Sequence, residues 1–81
     1  MKIEALFFAS ARDAVGEASR TLHVEAGSRV RDVFERLAEE HPGLQPARSS
    51  LRFAVNEDFV DDEHLLVEGD CLALLPPVSG G

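Results

Sequence analysis

The chain has 81 residues, with 8 Lys and Arg against 15 Asp and Glu, a formal net charge of -7. This length accommodates one domain, and a chain of this size buries only roughly 60–65% of its unfolded surface. Residues 1–52 hold all 8 basic residues and balance them with acids, while residues 53–81 hold the remaining acids and no Lys or Arg. No clustered cationic surface for nucleic acid is available, and a basic protein surface is the better partner for the acidic half.

Hydrophobic residues make up 44% and charged residues 28%, the balance of a globular domain rather than a disordered chain. A single cysteine, Cys71, excludes an internal disulfide framework and any multi-cysteine zinc site. No apolar run approaches the roughly 20 residues of a membrane span, and no signal-peptide pattern opens the chain. A cytoplasmic, reducing setting without membrane contact is expected.

Residues 3–9 read as a strand, with Ile3, Ala5 and Phe7 on one face and Glu4, Leu6 and Phe8 on the other. Both faces are largely apolar, as for a central strand or one whose second face meets another protein. Ser10 is a candidate N-cap and Gly16 a candidate C-terminal stop for a short helix that contains Arg12. Residues 21–24 read as a second strand with Leu22 and Val24 inward. Ser28 is the expected cap of the main helix. Val30, Val33, Phe34, Leu37 and Ala38 follow at i, i+3, i+4, i+7 and i+8, one apolar stripe. Asp32 and Arg36 form a candidate i,i+4 pair worth about 0.3 kcal/mol. His41-Pro42 ends the helix.

Residues 44–50 lack periodicity and read as a loop. Leu51, Phe53 and Val55 alternate inward on a third strand. Asn56-Glu57-Asp58 is turn chemistry, Phe59-Val60 a short strand, and Glu68-Gly69-Asp70 another turn. Residues 71–75 form the last strand, which Pro76-Pro77 stops. The expected fold is α+β: one mixed sheet of about five strands with a single main helix on one face. The other face then carries Glu4, Leu6, Phe8, Ala54, Cys71, Ala73 and Leu75. That set is too apolar for water, and a partner is expected to cover it.

The tail, residues 76–81, is expected to be a flexible extension of a domain spanning 1–75. Pro76-Pro77 favours an extended exit from the strand. Val78 and Ser79 lead to Gly80 and Gly81, where the absence of side chains leaves the terminal carboxylate approachable from any side. Such an end suits a narrow channel and chemistry on the carboxylate itself.

The strand 3–9, the Arg12 turn, the main helix, Ala54-Val55-Asn56, Glu68-Gly69-Asp70 and the ending Leu74-Leu75-Pro76-Pro77-Val78-Ser79-Gly80-Gly81 resemble the MoaD-type sulfur carriers. These are the small subunits of molybdopterin synthase, within the MoaD/ThiS ubiquitin-like family. The resemblance spans essentially the whole chain and implies a ubiquitin-like β-grasp fold. It also implies a carrier cycle. An activating enzyme uses ATP to adenylate Gly81, and sulfur donation converts it to a thiocarboxylate. The thiocarboxylate then donates sulfur to cyclic pyranopterin monophosphate to build the molybdopterin dithiolene. The implied partners are the activating enzyme and the large catalytic subunit, the latter in a heterotetramer. The chain itself would bind no cofactor or metal and would be no enzyme on its own. Gly81 would carry the sulfur, with Gly80, Ser79 and Val78 in the tail. Phe8, Phe59, Leu75, Leu6 and Arg12 would meet partners. The acids of residues 53–81 would steer both partners toward the last strand and the tail.

Other readings stand beside these. Cys71 is a potential persulfide relay, but no His or basic group is near it in sequence to lower its pKa. Asp61-Asp62-Glu63-His64 is a potential metal loop or a solvated turn. Phe59 fits the core as well as an interface. At the level of function, carriers for thiamine thiazole or tRNA thiolation share the same chemistry. A non-catalytic ubiquitin-like binding module or modifier belongs to a different class.

Overall fold

A computed structural model of the chain describes residues 1–77. Five strands are present: β1 (Lys2–Phe7), β2 (Ser19–His23), β3 (Arg52–Val55), β4 (Asp58–Val60) and β5 (Cys71–Leu75). Three helices intervene: α1 (Ala9–Val15), α2 (Val30–Glu40) and α3 (Leu44–Ala47). The strands form one sheet in the order β2-β1-β5-β3-β4. The β1–β5 pair is parallel and the other pairs are antiparallel, so the sheet is mixed.

The helix α2 covers one face because its apolar stripe has nowhere else to go. Val30, Val33, Phe34, Leu37 and Ala38 are all buried. They belong to the same core as Ile3, Ala5 and Phe7 of β1, Phe53 and Val55 of β3, and Leu72 and Leu74 of β5. Burying each Phe, Leu or Ile contributes about 1.5–3 kcal/mol. Phe34 meets Phe53 edge to face, with ring centroids 5.9 Å apart. The Arg48 guanidinium lies 4.9 Å from the centre of the Phe53 ring and 5.5 Å from that of Phe34, and it pairs with Asp62 at 2.6 Å. Arg48 thus screens the rim of the core and ties the 61–64 loop to it.

Several local expectations are corrected. The first strand ends at Phe7, and α1 begins at Ala9, so its cap lies two residues before the expected Ser10. The Phe8 carbonyl accepts the amides of Ala11 and Arg12, at 3.0 and 3.3 Å, so the extended Phe8 is the cap. Gly16 ends α1 as expected, at φ 88° with its amide on the Arg12 carbonyl. The second strand lies at 19–23 rather than 21–24, and Val24 is only partly buried. Arg29, not Ser28, caps α2. The Ser28 hydroxyl donates to the Glu25 carbonyl at 2.7 Å, and the Asp32 carboxylate accepts the Arg29 amide at 2.8 Å. That use of Asp32 displaces the expected pair with Arg36, which instead donates to the His23 carbonyl and approaches Glu40 at 4.0 Å. Residues 44–50 are helical, α3 followed by a 3-10 turn at Arg48–Ser50, because buried Leu44 anchors them against the core.

The exposed Arg20–Glu40 pair, at 2.7 Å, joins β2 to the end of α2. The hydrogen bond from Arg20 holds the Glu40 carboxyl below its usual range. Solvent screens a pair of this kind, and it adds little to stability.

Candidate functional site

The face of the sheet opposite α2 is a shallow trough, and strand register explains its shape. Leu6 of β1 stands opposite Ala73 of β5, Ala73 opposite Ala54 of β3, and Ala54 opposite Phe59 of β4. Side chains in register share a face, so these four form one row across the sheet. The two alanines make a low floor, at 5% and 9% exposure, and Leu6 and Phe59 stand at its sides. One row toward the C-terminus of β5, Phe8 donates its amide to the Leu74 carbonyl at 3.1 Å, and Leu75 stands opposite Arg52. One row the other way, Glu4 stands opposite Cys71.

The resulting groove has a volume of about 570 Å³. It is lined by Leu6, Phe8, Phe59 and Leu75, with Ala54, Ala73 and Cys71 below and the Asn56-Glu57 turn at one end. Phe8 is 43% exposed and Phe59 65% exposed, although both are large apolar side chains. Phe59 is therefore a surface residue of the groove and not a core residue. Of the expected outer-face set, Glu4 alone is not part of the groove lining. Arg12 is exposed on α1, outside that lining and without a side-chain partner among the described residues.

The β3–β4 turn at the end of the groove is built tightly. Val55 pairs with Asp58, leaving Asn56 and Glu57 as a two-residue turn with φ of 51° and 74°. Both signs are positive, as in the type I′ hairpin that suits strand twist. Asn tolerates this conformation, whereas Glu adopts it against its steric preference. Asn56 locks the turn to the neighbouring loop. Its Oδ1 accepts the Cys71 amide at 3.0 Å, and its Nδ2 donates to Asp70 Oδ1 at 2.9 Å. Asp70 is buried at 6% exposure, and its other oxygen accepts the Val67 amide at 2.8 Å. The carboxylate is thus hydrogen-bonded through both oxygens, as burial requires. Asn56 meets Asp70 and Cys71 only through the fold, and this role was invisible to periodicity.

Chemistry within the groove is sparse. Burial pushes the Cys71 thiol up, and the carboxylates of Glu4 and Glu57 push it further. A thiol raised in this way remains protonated near neutral pH and is a poor nucleophile. The loop at 61–64 is occupied by its own contacts. Asp61 accepts the Glu63 amide at 2.9 Å, Asp62 holds Arg48, and Glu63 pairs with Arg31 at 2.8 Å. Among the described residues no cluster of three His, Cys, Asp or Glu stands ready to hold a metal ion. No helix among them is long and apolar enough to cross a membrane.

The acidic half of the chain is also redistributed by folding. Asp62 and Glu63 are matched by arginines, Glu68 accepts the Lys2 amide at 2.9 Å, and Asp70 is buried. Glu57 remains at the groove, at the end away from Leu75. The chain leaves β5 at Leu75, beside Phe8, and exposed Pro76 and Pro77 follow. The expected sulfur-bearing Gly81, with Gly80, Ser79 and Val78, lies outside the described residues.

Comparison with known proteins adds independent findings. The ThiS family matches residues 5–81. A molybdopterin synthase sulfur carrier subunit from Chlamydomonas reinhardtii is 32% identical over 83 residues, covering all of both chains. The small archaeal modifier protein 1 of Methanosarcina acetivorans aligns with a TM-score of 0.82 at 26% identity, covering 99% of this chain and 96% of that one. A chain in the complex of subunits 1 and 2 of the molybdopterin-converting factor from Helicobacter pylori aligns with a TM-score of 0.70 at 26% identity, covering all of both chains. The fold is the ubiquitin-like β-grasp.

Proposed function

This chain belongs to the ThiS family, and from that premise we propose that it is the sulfur carrier subunit of a molybdopterin synthase. The observation that carries the reading is the apolar groove beside the exit of the C-terminal segment, in a chain similar over its full length to named carriers of this kind. A groove floored by alanines and sided by Phe8, Phe59, Leu6 and Leu75 receives apolar side chains of a larger subunit. Exposed Pro76 and Pro77 follow the last strand, and the terminus beyond them would enter that subunit's own site.

The chemistry resides in the Gly81 carboxylate. A free carboxylate is a weak electrophile. Its oxygen attacks the α-phosphorus of ATP on an activating enzyme and displaces pyrophosphate, giving an acyl-adenylate. A sulfur nucleophile then adds to the acyl carbon and expels AMP, and a thiocarboxylate results. Its sulfur, ionised at neutral pH, attacks a side-chain carbon of the cyclic pyranopterin monophosphate, where the new C–S bond replaces a C–O bond and the oxygen leaves with phosphate or as water. Hydrolysis at the acyl carbon leaves sulfur on the pterin and restores the Gly81 carboxylate. A dithiolene needs two such transfers, hence two charged carriers. This chain supplies the acyl group, the tail and the docking face, with Phe8, Phe59, Leu75, Leu6 and Arg12 as its partner contacts. Acid and base groups come from the larger subunit.

Incubation with activating enzyme, ATP and a sulfur donor tests the reading. The expected result is an oxygen-for-sulfur mass increase confined to the C-terminal peptide, and an unchanged mass refutes it. A second reading, a protein modifier, is supported by the likeness to the archaeal modifier. It calls for conjugates between Gly81 and lysines of other proteins, which the same mass analysis of a cell extract separates from free thiocarboxylate.

A further inference from the structure

Charged side chains at the two ends of the groove differ in sign. Arg52 is exposed, shares its face with Ala54, and stands opposite Leu75 where the chain leaves the sheet. At the other end Glu57 lines the groove, and Glu4 stands opposite Cys71 on the same face. The ends are separated by the length of β5 from Leu75 to Cys71, about 13 Å at the usual strand rise. Both carboxylates act on the Cys71 thiol, which places them at that end.

Most other charges are engaged within the chain. Arg20, Arg31, Arg36 and Arg48 have acidic partners. Among the described residues, the side chains of Arg52 and Glu57 have neither a hydrogen bond nor an ion pair. The Glu4 carboxylate accepts only the Thr21 hydroxyl, at 2.7 Å, and has no cationic partner among the described residues.

We infer that this groove carries a charge polarity that fixes the direction in which a partner docks. The partner sets a carboxylate against Arg52 at the C-terminal exit and a cationic side chain against Glu57 and Glu4 at the far end. The floor is made by Ala54 and Ala73, whose short side chains give little directional information by themselves. A partner docked end for end would place acid against Glu57 and base against Arg52, and like charges at a desolvating rim are strongly disfavoured. Direction matters because only one orientation aims Pro76 and Pro77 at the partner's reactive site. The inference rests on the sulfur carrier reading for the partner's identity, the cognate large synthase subunit.

The test separates polarity from net charge. Arg52→Glu makes the chain more negative, and Glu57→Lys makes it less negative. Attraction of an acidic protein to a basic partner would make the first bind faster and the second slower. Polarity requires both to bind slower. Stopped-flow association of the full chain with the large subunit, at low and at high salt, reads the difference. The expected result is a roughly tenfold lower association rate for each variant at low salt, narrowing as salt rises. Arg52→Gln is expected to fall between wild type and Arg52→Glu. Thermal melts of each variant confirm that the fold is retained. Faster association of Arg52→Glu, or unchanged rates for both reversals, overturns the polarity while leaving the carrier reading intact. Failure of the wild-type chain to associate at all overturns the carrier reading, and the polarity with it.

Discussion

The two faces of the sheet use the same backbone for different ends. Beneath α2, Ile3, Ala5, Phe7, Leu72 and Leu74 are buried against the helix, and each contributes to stability. On the open face, Leu6, Phe8, Phe59 and Leu75 surround two alanines, and no other element of the described residues covers them. Both faces are apolar, but the first is closed by the chain's own helix and the second is not. An apolar face in a small domain is therefore not by itself a measure of core. The chain closes one face with α2, and among the described residues the other stays open, which is the face we propose for a second protein.

Substitutions break the comparison on one side at a time. On the closed face, Leu72→Ala leaves a cavity in a fully buried position and is expected to cost about 2–5 kcal/mol in urea unfolding. Partner binding, measured where the variant is still folded, should change little. On the open face, Phe8→Asp is expected to reverse the pattern. Affinity for the large subunit, measured by calorimetry, should fall about 100-fold, while unfolding free energy shifts by less than about 1 kcal/mol.

The turn that closes the groove gives smaller effects. Asn56→Ala removes a donor from buried Asp70 and puts a Cβ-bearing residue without local hydrogen bonds at φ 51°. It is expected to cost about 1–3 kcal/mol. Glu57→Gly acts in the opposite direction, because glycine accepts φ 74° without strain. A gain of about 0.5–1 kcal/mol in thermal unfolding is expected, near the steric penalty it removes.

The smallest expected effect is a matter of pH. The folded Cys71 pKa lies above its unfolded value, so the native state holds the proton more tightly. Its contribution to stability is complete below the unfolded pKa and is lost as pH rises through the folded one. Alkylation by iodoacetamide at mildly alkaline pH should be slower in the native chain than in urea. Equal rates would contradict the raised thiol.

Much of this comparison was legible in the sequence. The 3.6-residue stripe from Val30 to Ala38 gave away the helix-covered face. Alternation in β1, β3 and β5 assigned Leu6, Phe8, Ala54, Ala73 and Leu75 to the other. Alternation fails where an element is too short to show a period. Phe59 sits in a three-residue strand, and only its pairing with Ala54 places it on the open face. The α3 segment has one anchoring residue, Leu44, and a proline at 46, so tertiary contact rather than pattern makes it helical. The rim charges were hidden for a related reason. Arg52 gains significance from standing opposite Leu75, and that register joins residues far apart in sequence. The acids of residues 53–81 looked like one field around the tail. Folding matches Asp62 and Glu63 with arginines and leaves Glu57 at the opposite end of the groove from the exit.

The central claim is that the open face docks the chain so that its terminus can deliver sulfur. It is tested most directly by single-turnover transfer from chain charged chemically as the Gly81 thiocarboxylate. Mixed with the large subunit and cyclic pyranopterin monophosphate, wild-type chain is expected to form the dithiolene, consuming two carriers per product. Equally charged Phe8→Asp is expected to transfer about 100-fold more slowly at limiting concentration, with its thiocarboxylate intact. Equal transfer by the two proteins would contradict the claim.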